Sequence, residues 1–223
     1  MSSIPGELRD DSVVAKLLAW AQARPSIRAM LLTSTRAYPN TVVDTLSDYD
    51  VIPVVPYVRP YHQDRSWIAD FGDVLATYWD PIYRSRETDE EIFGNVVPYE
   101  SGLRIDFTLW PIEHARKVAE LEYLPAYLDV GYVVLLDKDE LTDRLLPPTH
   151  TAYTPKPPTK AEFDLVVEAF YSDVPGVAKC LLRDELMPAK YILDFDMKHK
   201  YLRQMLEWRV ELDYEWSVSV GSQ

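Results

Sequence analysis

Between residues 30 and 55 the chain reads MLLTSTRAYPNTVVDTLSDYDVIPVV. An apolar run of Met30, Leu31 and Leu32 ends in the hydroxyl pair Ser34 and Thr35. A turn-rich stretch with Pro39 and Asn40 follows, and apolar residues resume directly after Ser47-Asp48-Tyr49-Asp50. This pattern predicts two strands joined by a loop. Side chains alternate faces along a strand, so Asp48 and Asp50 project to one side and Tyr49 to the other. Two carboxylates held side by side at a strand end repel each other unless a cation sits between them. Oxygen ligands of this kind suit magnesium bound together with a phosphate. A solvated strand end carries the same D-x-D pattern, so the pair gains meaning only from the rest of the chain.

A third carboxylate comes from Arg104-Ile105-Asp106-Phe107-Thr108-Leu109, where alternation sends Ile105, Phe107 and Leu109 to a core. Arg104, Asp106 and Thr108 share the other face. Asp106 is there either as a companion of Asp48 and Asp50 or as a polar residue on the wet face of a sheet. Tyr99-Glu100-Ser101-Gly102, just before it, reads as a hairpin turn.

Around these segments, Asp11 or Ser12 caps a first helix in which Val13, Val14, Leu17, Leu18 and Ala21 recur at helical spacing. Residues 27–32 and 48–58 read as strands, the far half of the second confined by Pro53 and Pro56 to an edge or a bulge. A short helix over 67–71, a strand over 74–79, an exposed loop over 80–91, a helix over 113–120 and a strand over 132–136 complete a first domain, residues 1–147. Residues 148–158 form a proline-rich connector. Beyond it, residues 159–223 read as helical: Thr159 caps a first helix that Pro175 and Gly176 interrupt, and residues 189–212 form a longer one. The fold class is α+β, a mixed sheet with flanking helices followed by a helical domain.

Several function classes drop out on composition. A formal net charge of -13 disfavours nucleic acid as a partner. An acidic surface steers cationic small molecules, and equally keeps a protein soluble. No apolar run is long enough to cross a bilayer, and the opening MSSIPGELRD lacks a signal-peptide pattern. Cys180 is the single cysteine, which excludes an internal disulfide and points to a reducing cytoplasm. His62, His114, His150 and His199 show no zinc spacing.

The two stretches Leu31-Leu32-Thr33-Ser34-Thr35-Arg36-Ala37 and Leu46-Ser47-Asp48-Tyr49-Asp50 resemble the aminoglycoside 6-adenylyltransferases (streptomycin adenylyltransferases) of the nucleotidyltransferase superfamily. The resemblance continues through residues 104–109, through Leu135-Leu136-Asp137-Lys138-Asp139, and through Val177-Ala178-Lys179 after Phe170-Tyr171. It extends to residues 203–208 and to Ser217-Val218-Ser219-Val220-Gly221. It implies a nucleotidyltransferase-like mixed-sheet domain followed by a helical substrate-side domain, shortened relative to the family. It also implies transfer of AMP from Mg-ATP to a hydroxyl of a cationic aminoglycoside, with release of pyrophosphate. In that reading Asp48, Asp50 and Asp106 hold magnesium against the triphosphate. Ser34 and Thr35 offer donors to phosphate oxygens, and Arg36 and Lys179 grip the triphosphate or the leaving pyrophosphate. Asp194 is the matched candidate for the base, with Asp196 and Glu168 as rivals. A surface pair of Asp194 with Lys198 at i,i+4 spacing is the competing expectation. Ser34 departs from the family, standing where glycine usually begins the turn, and serine resists the positive φ that glycine tolerates. Two other readings stay open: a nucleotidyltransferase acting on another small-molecule or protein hydroxyl, and a non-catalytic nucleotide-binding relative.

Overall fold

The computed structural model describes residues 5–39 and 43–217. The chain divides into two compact units, Met1–Ala152 and Tyr153–Gln223, with the division inside the proline-rich stretch.

In the first unit, helix α1 (Gly6–Arg9) leads to α2 (Ser12–Gln22). Asp11 caps α2 by accepting from the backbone N–H groups of Val13 (2.8 Å) and Val14 (3.1 Å). The strands are β1 (Ala29–Thr33), β2 (Tyr49–Val55), β3 (Tyr78–Trp79), β4 (Tyr83–Arg84), β5 (Glu91–Pro98), β6 (Arg104–Pro111) and β7 (Tyr132–Asp137). They build one mixed sheet in the order β3-β5-β6-β2-β1-β7, with β4 paired to β5. β2 and β6 run parallel, and the other pairings are antiparallel. Helices α3 (Arg59–Gln63), α4 (Ile112–Ala119) and α5 (Ala126–Asp129) flank the sheet.

Two apolar layers cover the sheet. On one side Leu17, Met30, Leu32, Val51, Ile105, Phe107 and Leu109 pack with Trp67 and Phe71. On the other, Leu31, Ile52, Val54 and Trp110 pack with Ala115, Val118 and Leu128. Ile105, Phe107 and Leu109 are fully buried, as the alternation requires. Each such side chain contributes about 1.5–3 kcal/mol. The hairpin turn after β5 closes with Gly102 donating to the Tyr99 carbonyl at 3.0 Å.

Three expectations are corrected. Pro53 does not drive β2 to an edge: β2 lies between β6 and β1, with Pro53 opposite Met30. Its ladder to β6 pairs Tyr49, Asp50 and Val51, then resumes at Val54, so the missing N–H falls where no pairing is made. The strand expected over 74–79 shortens to Tyr78–Trp79, plus a single bridge from Val74 to Tyr99. The expected loop over 80–91 contains the two-residue strand β4, which folds back onto β5 at Ile92 and Glu91.

The second unit is helical. A capping box opens α6 (Lys160–Leu182): Thr159 Oγ1 accepts from the Glu162 N–H, and Glu162 Oε2 accepts from the Thr159 N–H at 2.7 Å. α6 runs through Pro175 and Gly176 without the expected break. A proline inside a helix costs roughly 3 kcal/mol, which the packing of α6 along α7 (Leu186–Lys190) and Tyr191–Leu202 offsets. The longer helix expected over 189–212 comes as consecutive pieces: α7, a π-helix over Tyr191–Leu202, and α8 (Arg203–Glu211). Residues 218–221, part of the family resemblance, lie outside the described residues. Among the described residues no helix is long and apolar enough to cross a membrane.

Candidate active site

The parallel pairing of β2 with β6 sets Asp50 directly beside Asp106. On its other side Asp50 faces Thr33, the last residue of β1. Burial, then the charge of Asp106, push the Asp50 carboxyl up to about 6; Asp48 adds to the rise, while the Ser34 hydroxyl and Arg104 oppose it. Asp50 therefore feels the charges of both Asp106 and Asp48, while the Ser34 hydroxyl favours its charged form. The sequence placed Arg104 on this face without giving it a role. Its guanidinium grips Asp106 in a fork, Nε to Oδ1 at 3.0 Å and Nη2 to Oδ2 at 2.7 Å, and reaches Asp48 Oδ2 at 3.3 Å. Among the described residues no three Asp, Glu, His or Cys side chains close on one point. The donor chemistry, carboxylates with a nearby hydroxyl and no thiolate or imidazole, suits a hard ion such as magnesium.

Ser34 opens a 3₁₀ turn, Ser34–Ala37, at the end of β1 and holds φ at +63°. It thus takes the left-handed conformation that a glycine would take more readily. The glycine of this region stands across the turn instead. A Cβ at Gly131, just before β7, would lie 2.5 Å from the Ala37 carbonyl oxygen and 2.9 Å from its carbon. Only a residue without a side chain lets the turn pass so close. Thr35 lies half-buried in the same turn.

Arg36, expected to grip phosphate, directs its donors into the protein. Nε donates to the Asp48 carbonyl at 3.1 Å and Nη2 to the Ser47 carbonyl at 2.8 Å; Nη1 lies 3.4 Å from Asp11 Oδ2. Its plane lies over the Tyr49 ring at 3.7 Å, and the Tyr49 hydroxyl donates to Asp11 at 2.7 Å. Arg36 thereby ties the loop before β2 to the cap of α2 and fixes the backbone that carries Asp48.

Lys179 and Asp194 belong to the second unit. Lys179 is exposed on α6. Asp194 sits between Lys190 and Lys198, each at 2.7 Å. Hydrogen bonds from these two lysines, in that order, pull its carboxyl down to about 2. A carboxylate so stabilised is a weak proton acceptor, and the i,i+4 pair with Lys198 is present. The rivals Asp196 and Glu168 lie in Tyr191–Leu202 and α6. His62, His114 and His150 are each hydrogen-bonded: to the Asp80 carbonyl, to Thr88 and to the Val130 carbonyl.

The model of the streptomycin adenylyltransferase family matches residues 9–223. The chain belongs to that family. Among its relatives, the aminoglycoside 6-adenylyltransferase of Bacillus subtilis (strain 168) is 30% identical over 203 residues, covering 87% of this chain and 66% of that protein. The protein of the same name from Staphylococcus aureus is 23% identical over 223 residues, 96% of this chain and 74% of the relative. That from Campylobacter jejuni is 26% identical over 207 residues, 92% and 68%. This family member thus spans 66% of the length of the Bacillus subtilis relative. A crystal structure of an aminoglycoside 6-adenyltransferase from Bacillus subtilis aligns over 93% of this chain and 68% of its own, with 22% identity and a TM-score of 0.40.

Proposed function

We propose that this family member is a nucleotidyltransferase that moves AMP from ATP to a hydroxyl of a streptomycin-like aminoglycoside, releasing pyrophosphate. One observation carries the reading: Asp50 and Asp106 are register partners on parallel strands, with Asp48 two residues before the first. Asp48, Asp50 and Asp106 would hold magnesium, which when bound neutralises triphosphate charge as the α-phosphorus is attacked in line. Ser34 and Thr35 offer their hydroxyls to phosphate oxygens at the end of β1. Arg36 orients the Asp48 backbone through the Asp48 and Ser47 carbonyls. Lys179 and Asp194 enter as residues matched to the family, as triphosphate cation and acceptor base; the ion pairs of Asp194 require it to leave both lysines before it accepts a proton. The acidic balance of the chain favours a cationic acceptor, and free Cys180 accords with a reducing cytoplasm.

Incubation with ATP, magnesium and streptomycin is expected to release pyrophosphate and to raise the mass of streptomycin by one adenylyl group. Binding of ATP without turnover on any aminoglycoside would defeat the reading. Asp50→Asn or Asp106→Asn each removes several kcal/mol of charge stabilisation, so the transfer rate is expected to fall at least about a hundredfold. Full activity in either variant removes that residue from the mechanism.

A further inference from the structure

Beyond Asp48, Asp50 and Asp106, one more carboxylate stands on the reactive face of the sheet. Gly94 of β5 faces Thr108 of β6, and Val96 faces Asp106, so Gly94 lies on the same face one side-chain place along. A Cβ at Gly94 would fall 2.9 Å from Asp80 Oδ2. The space a side chain would fill therefore holds the Asp80 carboxylate. Diagonal neighbours across an antiparallel pair are roughly 7–8 Å apart, which sets the distance from this seat to Asp106. The Asp80 backbone is pinned there: its N–H donates to the Gly94 carbonyl at 3.0 Å, and its own carbonyl meets His62 Nε2 at 3.0 Å.

The carboxylate itself is half-buried, and among the described residues it makes no hydrogen bond or ion pair. Tyr83, in β4, is 44% exposed, and burial, then the charge of Asp80, raise its hydroxyl pKa. An unpaired carboxylate suits a guanidinium or ammonium group, to which it offers charge-assisted hydrogen bonds. We propose that Asp80 receives a cationic group of the acceptor whose hydroxyl is adenylylated. This rests on the aminoglycoside reading above and makes Asp80 a specificity residue for that reaction.

The test uses the full chain with Asp80→Asn, Gly94→Ala and, as a charge control in the hairpin turn, Glu100→Gln. Gly94→Ala keeps every charge and displaces only the flexible end of Asp80, so it separates local contact from long-range field. Streptomycin KM and kcat are measured alongside calorimetric binding of streptomycin. Loss of a charge-assisted hydrogen bond predicts a rise of about tenfold or more in KM and Kd for Asp80→Asn. A smaller rise is expected for Gly94→Ala, none for Glu100→Gln, and kcat stays within about twofold throughout. Unchanged KM and Kd in Asp80→Asn overturn the inference. So does a fall in kcat at constant KM, which would make Asp80 a proton acceptor instead. If the wild-type protein transfers no AMP to aminoglycosides, the proposed function fails and calorimetry alone decides here: binding weakened by Asp80→Asn sustains the anchor, and absent or unchanged binding overturns it.

Discussion

Ser34 keeps a left-handed backbone that costs a non-glycine residue about 1–2 kcal/mol, while its hydroxyl stabilises the charge on Asp50. These two effects can be separated. Ser34→Ala and Ser34→Gly both remove the hydroxyl, but only glycine relieves the backbone. Denaturant unfolding is expected to find Ser34→Gly more stable than Ser34→Ala by about 1 kcal/mol, and equal stabilities would show that the turn carries no strain. His114 supplies a pH dependence of its own. It is buried, with Nδ1 hydrogen-bonded to Thr88 at 2.6 Å and the ring edge-on to Trp110. Burial lowers its pKa from 6.5 to about 4. Below pH 6.5 the unfolded chain takes up a proton that the folded chain refuses, so stability falls as pH drops from about 6.5 to about 4. The loss approaches about 3 kcal/mol. The stability-pH curve of His114→Gln is expected to be flatter than wild type across that window, and parallel curves would remove His114 as the cause.

At the scale of elements, the turn after β1 depends on a distant glycine. Gly131→Ala would drive a methyl group into the Ala37 backbone, which cannot swing aside as a side chain can. The expected cost is about 1–3 kcal/mol of stability and, on the proposed reading, weaker ATP binding by calorimetry; unchanged melting and affinity would show the approach to be loose. Local pattern made β6, α2 and the capped start of α6 legible, because each buries one face or ends in a specific cap. It made Asp50 and Asp106 legible as side chains on strand faces, whereas Asp48, expected to begin the strand, lies just before β2. What it withheld was pairing. Nothing near Pro53 says that β2 lies inside the sheet, and nothing near Pro175 says that α6 continues. The Gly131–Ala37 and Gly94–Asp80 contacts likewise exist only once separate segments meet. Arg104 was visible two residues from Asp106 on the same strand face, and that spacing was the available signal for its fork.

At the scale of the molecule, 36 acidic side chains stand against 23 lysines and arginines. Such a surface draws in cations of every kind, and most of them are monovalent. On the proposed reading, the Arg104 guanidinium between Asp48 and Asp106 becomes a standing competitor for the place a diffusible ion would take. A single positive charge arriving from solution offers these carboxylates no more Coulomb energy than the tethered one already does, whereas a divalent ion at the same distance offers twice as much. Arg104 then acts as a threshold, leaving sodium and potassium without advantage and yielding to magnesium carried in with its nucleotide.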